Sequence, residues 1–126
     1  MENNKIFKII YNQICTFLPD EWNKVIFYYE IGDDFHSSEF YVELTNHKFV
    51  KCYDLPNVDE DVMYERFEML HEEITKTRKN VRSKDLWKSM TMGLKSDGNY
   101  FVDYDYDHLM NIEIDYKKVW KEKYLK

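Results

Sequence analysis

Residues 86–107, LWKSMTMGLKSDGNYFVDYDYD, decide how this chain folds. Asp97-Gly98 marks a turn between two strand-like runs. A two-residue loop there would set Met92 against Asp103 and Met90 against Asp105, burying carboxylates beside thioethers, a register that a one-sided core rejects. A three-residue loop, Ser96-Asp97-Gly98 with Gly98 in the left-handed conformation, pairs Leu94 with Tyr100, Met92 with Val102 and Met90 with Tyr104. Side chains alternate along a strand, so one face of this hairpin is apolar and aromatic. The other carries Ser89, Thr91 and Lys95 opposite Phe101, Asp103 and Asp105, with Asp107 following in the same parity.

Working outward, Ile6, Phe7, Ile10, Ile14, Phe17 and Leu18 recur at helical spacing over residues 3–18, and Pro19 ends the run. From Trp22 to Ile31 the pattern becomes alternation, with Val25, Phe27, Tyr29 and Ile31 on one side and Lys24, Tyr28 and Glu30 partly opposite. Gly32-Asp33-Asp34 is turn chemistry. A second strand carries Phe40, Val42 and Leu44, and Asn46-His47 turns the chain into a third, His47 to Tyr53. Asn57 or Asp59 can cap a helix whose stripe is Val62, Met63, Phe67, Leu70 and Ile74. Its acidic start, Glu60, Asp61 and Glu65, and basic end, Lys76, Arg78 and Lys79, complement the helix dipole. The basic stretch Arg78 to Lys84 leads into the hairpin, and residues 115–124 form a last amphipathic helix with Tyr116, Val119, Trp120 and Tyr124. The order predicts an α+β fold: a three-stranded antiparallel meander plus a C-terminal hairpin, packed with about three helices on one face of the sheet.

A length of 126 residues suits a single domain spanning 1–126. Hydrophobic residues at 44% and charged residues at 33% describe a globular chain, and 17% aromatics predict a core rich in tyrosine and phenylalanine. Eighteen Lys and Arg against 24 Asp and Glu leave a net charge of −6. That balance argues against nucleic acid or an anionic membrane as direct partner and favours a basic protein. Cys15 and Cys52 lack metal-type spacing, the N-terminus lacks a signal-peptide pattern, and no apolar run reaches the roughly 20 residues that cross a bilayer. The expectation is a cytoplasmic protein with reduced, buried thiols.

Asp103, Asp105 and Asp107 form the sharpest constellation. Alternate strand residues project from one face about 6 to 7 Å apart, which makes a strong negative field. A divalent cation would need ligands converging within about 2.0 to 2.6 Å of one point, which an evenly spaced stripe does not supply unaided. The stripe therefore reads as contact with a basic partner surface or as a solvated face that opposes aggregation. No Lys or Arg stands between Lys95 and Lys117. Glu30, Asp33 and Asp34 form a lesser cluster at the first turn and would extend the acidic patch if the two hairpin ends lie on one side. The four histidines are scattered, His71-Glu72-Glu73 lacks the second histidine of a helical zinc motif, and no nucleophile elbow or phosphate loop exists. Neither a catalytic apparatus nor a cofactor is expected. Tyr28, Tyr41 and Tyr53 are placed on exposed sheet positions, where tyrosine suits protein contact.

Trp87 and Ser89, the strand, the glycine turn and the run Val102-Asp103-Tyr104-Asp105-Tyr106 resemble the YezG-like immunity family of Gram-positive bacteria. The resemblance extends to Leu18-Pro19-Asp20-Glu21-Trp22 leading into Val25-Ile26-Phe27-Tyr28-Tyr29, and more loosely to Tyr116 through Tyr124. Members commonly read Pro-Trp-Thr where this chain has Leu86-Trp87-Lys88. The resemblance implies an antitoxin, not an enzyme, that binds and inhibits a secreted nuclease toxin. The sheet edge and acidic face, with Asp33 and Asp34, would then meet the toxin's basic cleft, and Trp87 or Tyr41 would supply aromatic affinity. A small metal-dependent hydrolase using the three aspartates, or a structural adaptor, is the alternative.

Overall fold

The computed structural model describes residues 3–56, 58–79 and 86–126. Helix α1 (Asn3–Ile14) leads through a 3₁₀ turn into strands β1 (Lys24–Ile31), β2 (His36–Glu43) and β3 (Phe49–Lys51). Helix α2 (Glu60–Arg78) follows, then strands β4 (Ser89–Lys95) and β5 (Tyr100–Asp105) and helix α3 (Ile114–Tyr124). The strands form one antiparallel sheet in the order β3-β2-β1-β4-β5. The α+β class, the meander and the hairpin are as the sequence implies. Asn57 and the Asn80–Lys84 part of the basic stretch lie outside the described residues.

The hairpin register is the expected one: Leu94 opposite Tyr100, Met92 opposite Val102, Met90 opposite Tyr104. Gly98 has φ +95°, a conformation that costs little without a Cβ. The amide of Lys95 donates to Asn99 O at 2.8 Å, and that of Gly98 to Lys95 O at 2.9 Å. The β2–β3 turn repeats the same device. There Leu44 N donates to Lys48 O and His47 N to Leu44 O, each at 2.9 Å, and His47 takes φ 66° in glycine's place.

One face of the sheet buries Val25, Phe27, Tyr29, Phe40, Val42, Met90, Met92 and Leu94 against Ile6, Ile10 and Ile14 of α1 and Met63, Phe67, Leu70 and Ile74 of α2. Asp59 caps α2, its Oδ1 accepting from the amides of Asp61 and Val62. Val62, placed in the apolar stripe by spacing, is exposed, because the helix rotates Met63 inward instead.

The second face corrects the expectation of one-sided cover. Ile26, Tyr28 and Tyr41 on the sheet pack with Met110 and with Trp120 of α3 in a separate apolar cluster. Strand β1 is therefore covered on both sides, which explains its nearly unbroken apolar run, VIFYYEI. Tyr28 and Tyr41, expected on exposed positions, are buried for this reason; Tyr53 is exposed. Gly93 admits this packing: a Cβ there would fall within 2.1 Å of the Phe101 ring, which lies across it and stacks on Tyr124. Two smaller differences concern single residues. Cys52 begins a 3₁₀ turn after β3 and is not in the strand. His36 and His71, expected as separate surface residues, stack with ring centroids 3.5 Å apart, and Tyr29 Oη lies 2.6 Å from His71 Nδ1.

Candidate functional site

Strand pairing brings the Asp33-Asp34 turn and the end of β5 to one end of the sheet, while the Asp97-Gly98 turn lies at the other, beyond the Lys24–Lys95 pair. Ser37 of β2 sits opposite Glu30 of β1, Glu30 opposite Ser89 of β4, and Ser89 opposite Asp105 of β5. The Asp33-Asp34 turn and the segment after Asp105 therefore leave the sheet at the same end, separated by about 10 Å, two strand spacings. Asp33, Asp34 and Asp107 are exposed there. The adjacency that spacing alone left open is realised.

Asp103 and Asp105 are committed locally. Tyr124 Oη donates to Asp103 Oδ2 at 2.7 Å, and Tyr116 Oη to Asp105 Oδ2 at 3.5 Å. Burial, then the neighbouring carboxylate, pushes each of these phenols above its ordinary pKa and keeps it a neutral donor. These hydroxyls tie α3 to the edge strand. A cleft of about 340 Å³ between α3 and the hairpin is lined in part by Ser89, Thr91, Asp103, Asp105 and Lys123. At its inner wall Trp120 Nε1 donates to Thr91 Oγ1 at 2.8 Å.

The loop between β5 and α3 is held from below. Asp105 Oδ1 accepts from the amides of Asp107 and His108, at 2.8 and 2.7 Å. Glu113 Oε2 accepts from Leu109 N at 2.6 Å, and its other oxygen lies 3.1 Å from His108 Nδ1. Met110 N donates to Tyr28 Oη at 3.0 Å, and Asn111 N to Glu30 Oε1 at 3.1 Å. Tyr28 Oη in turn donates to the same Glu30 oxygen at 2.8 Å. Glu30 is wholly buried in the central strand, and its Oε2 has no hydrogen-bond partner among the described residues. A carboxylate in that position is costly unless its bonds fix something. What it fixes is this loop. The Glu113 carboxylate raises the pKa of His108, while the Leu109 amide, followed by His108, lowers that of Glu113.

Of the two aromatic candidates, Trp87 is 2% exposed and packs on the α1–α2 face, edge-on to Tyr29 and beneath the Arg78 guanidinium. Tyr41 is 6% exposed on the opposite face, beside Trp120, and donates its hydroxyl proton to Glu39. Trp87 lies just before Ser89, at the acidic end of the sheet but buried on the α1–α2 face, whereas Tyr41, opposite Ile26, is away from that end. Among the described residues, no three His, Cys, Asp or Glu side chains gather where they could hold one metal ion. No helix among them is long and apolar enough to cross a membrane.

Sequence reasoning missed Glu30 as an anchor and the loop it holds. The signal was present as one charge inside a seven-residue run, Val25–Ile31, that is otherwise apolar. It missed too that Ile112, Ile114 and Val119 are 66%, 76% and 60% exposed.

Comparison with known proteins places this architecture. The model of the family described as "Immunity protein YezG-like" matches residues 3–126. Immunity protein YezG of Bacillus spizizenii is 31% identical over 134 aligned positions, covering 95% of this chain and 80% of that protein. Immunity protein YezG of Bacillus subtilis is 28% identical over 131 positions, covering 95% and 85%.

Proposed function

Since the chain belongs to the YezG-like immunity protein family, we propose that it binds a cognate secreted toxin of nuclease activity and inhibits it by masking the toxin's basic nucleic-acid cleft. The observation that carries this reading is the family match across residues 3–126. Binding itself is the function: the protein is not an enzyme, acts in the cytoplasm of the producing cell, and needs no cofactor.

The acidic end of the sheet supports the choice of a basic partner. Asp33, Asp34 and Asp107 stand exposed at that end, with Asp103 and Asp105 behind them accepting from Tyr124 and Tyr116. Such a field steers association with a basic surface and competes with phosphates for it. Trp87 and Tyr41 would contribute through what they hold in place, since neither offers free surface in this fold.

The test is competition. Purified chain is titrated into the C-terminal domain of the toxin encoded beside it, with nucleic-acid cleavage and nucleic-acid binding followed together. Masking predicts stoichiometric loss of both. The triple charge reversal Asp33→Lys, Asp34→Lys and Asp107→Lys slows association about tenfold or more at low salt, an effect that shrinks as salt is added. Loss of cleavage with nucleic acid still bound would place inhibition away from the cleft.

A further inference from the structure

The loop from Tyr106 to Glu113 is built more rigidly than its place at the surface requires. Every backbone N–H from Asp107 through Glu113 has an acceptor: Asp105, Glu113, Tyr28 and Glu30 side chains for the first five, Leu109 O for Ile112 and Glu113. Leu109 and Met110 plug inward and are buried. Ile112 and Ile114 point the other way, and with Val119 they line one shallow depression of about 840 Å³ at the start of α3. Three aliphatic side chains at 60% exposure or more, within eight residues, contribute little to this fold. Contiguous exposed apolar surface with a polar rim marks interaction sites.

We propose that Ile112, Ile114 and Val119 are the apolar anchor with which this chain grips its toxin, rimmed by Glu113 and Asp115. The occupant is a basic protein surface with an apolar recess between its cationic side chains. The argument for that chemistry is charge around the two isoleucines: no Lys or Arg stands between Lys95 and Lys117, and the Asp33-Asp34 turn lies at the same end of the sheet, while Lys117 and Lys118 bound the patch on the Val119 side. The inference rests on the immunity reading and deepens it by separating steering from grip. The carboxylates bring the toxin in, and the isoleucines, desolvated on contact, hold it. Because the loop is already fixed by Glu30 and Tyr28, little ordering entropy opposes binding. Other exposed apolar residues, Tyr64 and Met69, stand on α2, on the opposite face of the sheet from α3 and the loop that Glu30 and Tyr28 hold.

The experiment measures association and dissociation rates of the parent, Ile112→Ala, Ile114→Ala and their double variant on an immobilised, cleavage-inactive C-terminal domain of the adjacent toxin. Each alanine weakens binding about tenfold or more, chiefly by faster dissociation. Tyr64→Ala leaves both rates unchanged. Both isoleucines are exposed, so the variants keep the parent's thermal midpoint, and amide exchange on the parent slows across residues 106–119 in the complex. A parent that binds while the double variant binds equally well overturns the anchor and leaves the immunity reading standing. A parent that fails to bind overturns both. Self-association of the free chain that Ile114→Ala abolishes, with toxin binding intact, would assign the patch to a second copy and overturn the proposal.

Discussion

The two faces of the sheet are held by different physics. Against one, α1 and α2 press isoleucine, leucine, methionine and phenylalanine into a continuous apolar layer. Against the other, α3 and the loop before it are fastened by hydrogen bonds that reach down from Thr91, Asp103, Glu30 and Tyr28 around a smaller apolar centre. Apolar burial is strong but does not orient, whereas hydrogen bonds fix positions at modest net gain. The first face makes the domain stable. The second holds one surface loop in one shape, which the proposed binding role requires.

That contrast is open to test, starting where the effect is largest. Leu70→Ala on the α2 side leaves a cavity in the main core and lowers the unfolding free energy by about 3 kcal/mol, measurable by urea denaturation. Glu30→Ala strands the Asn111 amide beneath the loop. It costs about 2 kcal/mol of global stability, and the amides of Met110 and Asn111 lose their exchange protection well before those of the sheet. If Glu30→Ala instead loosens both faces equally, the division of labour is wrong. Tyr124→Phe removes one hydroxyl bond from a half-buried site and costs about 1 kcal/mol or less, with frayed exchange confined to α3.

The smallest effect is a pH dependence of the loop. The pKa of His108 is raised in the fold by Glu113, so its stabilising contact is complete below the ordinary histidine pKa and disappears as pH rises through the folded value. Glu113 has a lowered pKa, so its contribution is present above the ordinary glutamate value and is lost as pH falls through the folded one. The loop is best anchored between the two ordinary values, at mildly acidic pH. An NMR titration of His108 should show a midpoint above that of a free histidine, moving down in Glu113→Gln. An unmoved midpoint would remove Glu113 as the cause.

How much of this was legible beforehand differs between the same two regions. The apolar face was, because helix and strand periods announce themselves and because Asp97-Gly98 names its own turn. The matching turn at Asn46-His47 was found as a turn, but its left-handed residue was hidden, since histidine carries no such label. The bonded face was not legible, because its determinants pair residues about eighty positions apart, Tyr28 with Met110 and Glu30 with Asn111. Alternation along β1 suggested an open second face; an aromatic, nearly unbroken strand was the better clue to cover on both sides. The aspartates were correctly grouped by parity, yet nothing local revealed that tyrosines of α3 would claim two of them.

The most direct test of the account as a whole is titration of this chain into the purified nuclease domain of the proposed cognate toxin while nucleic-acid cleavage is followed. The account predicts that cleavage ceases at one equivalent and that the Ile112→Ala, Ile114→Ala double variant needs a large excess to match it. Cleavage undiminished by excess parent would contradict the claim that this fold acts by binding and silencing that toxin.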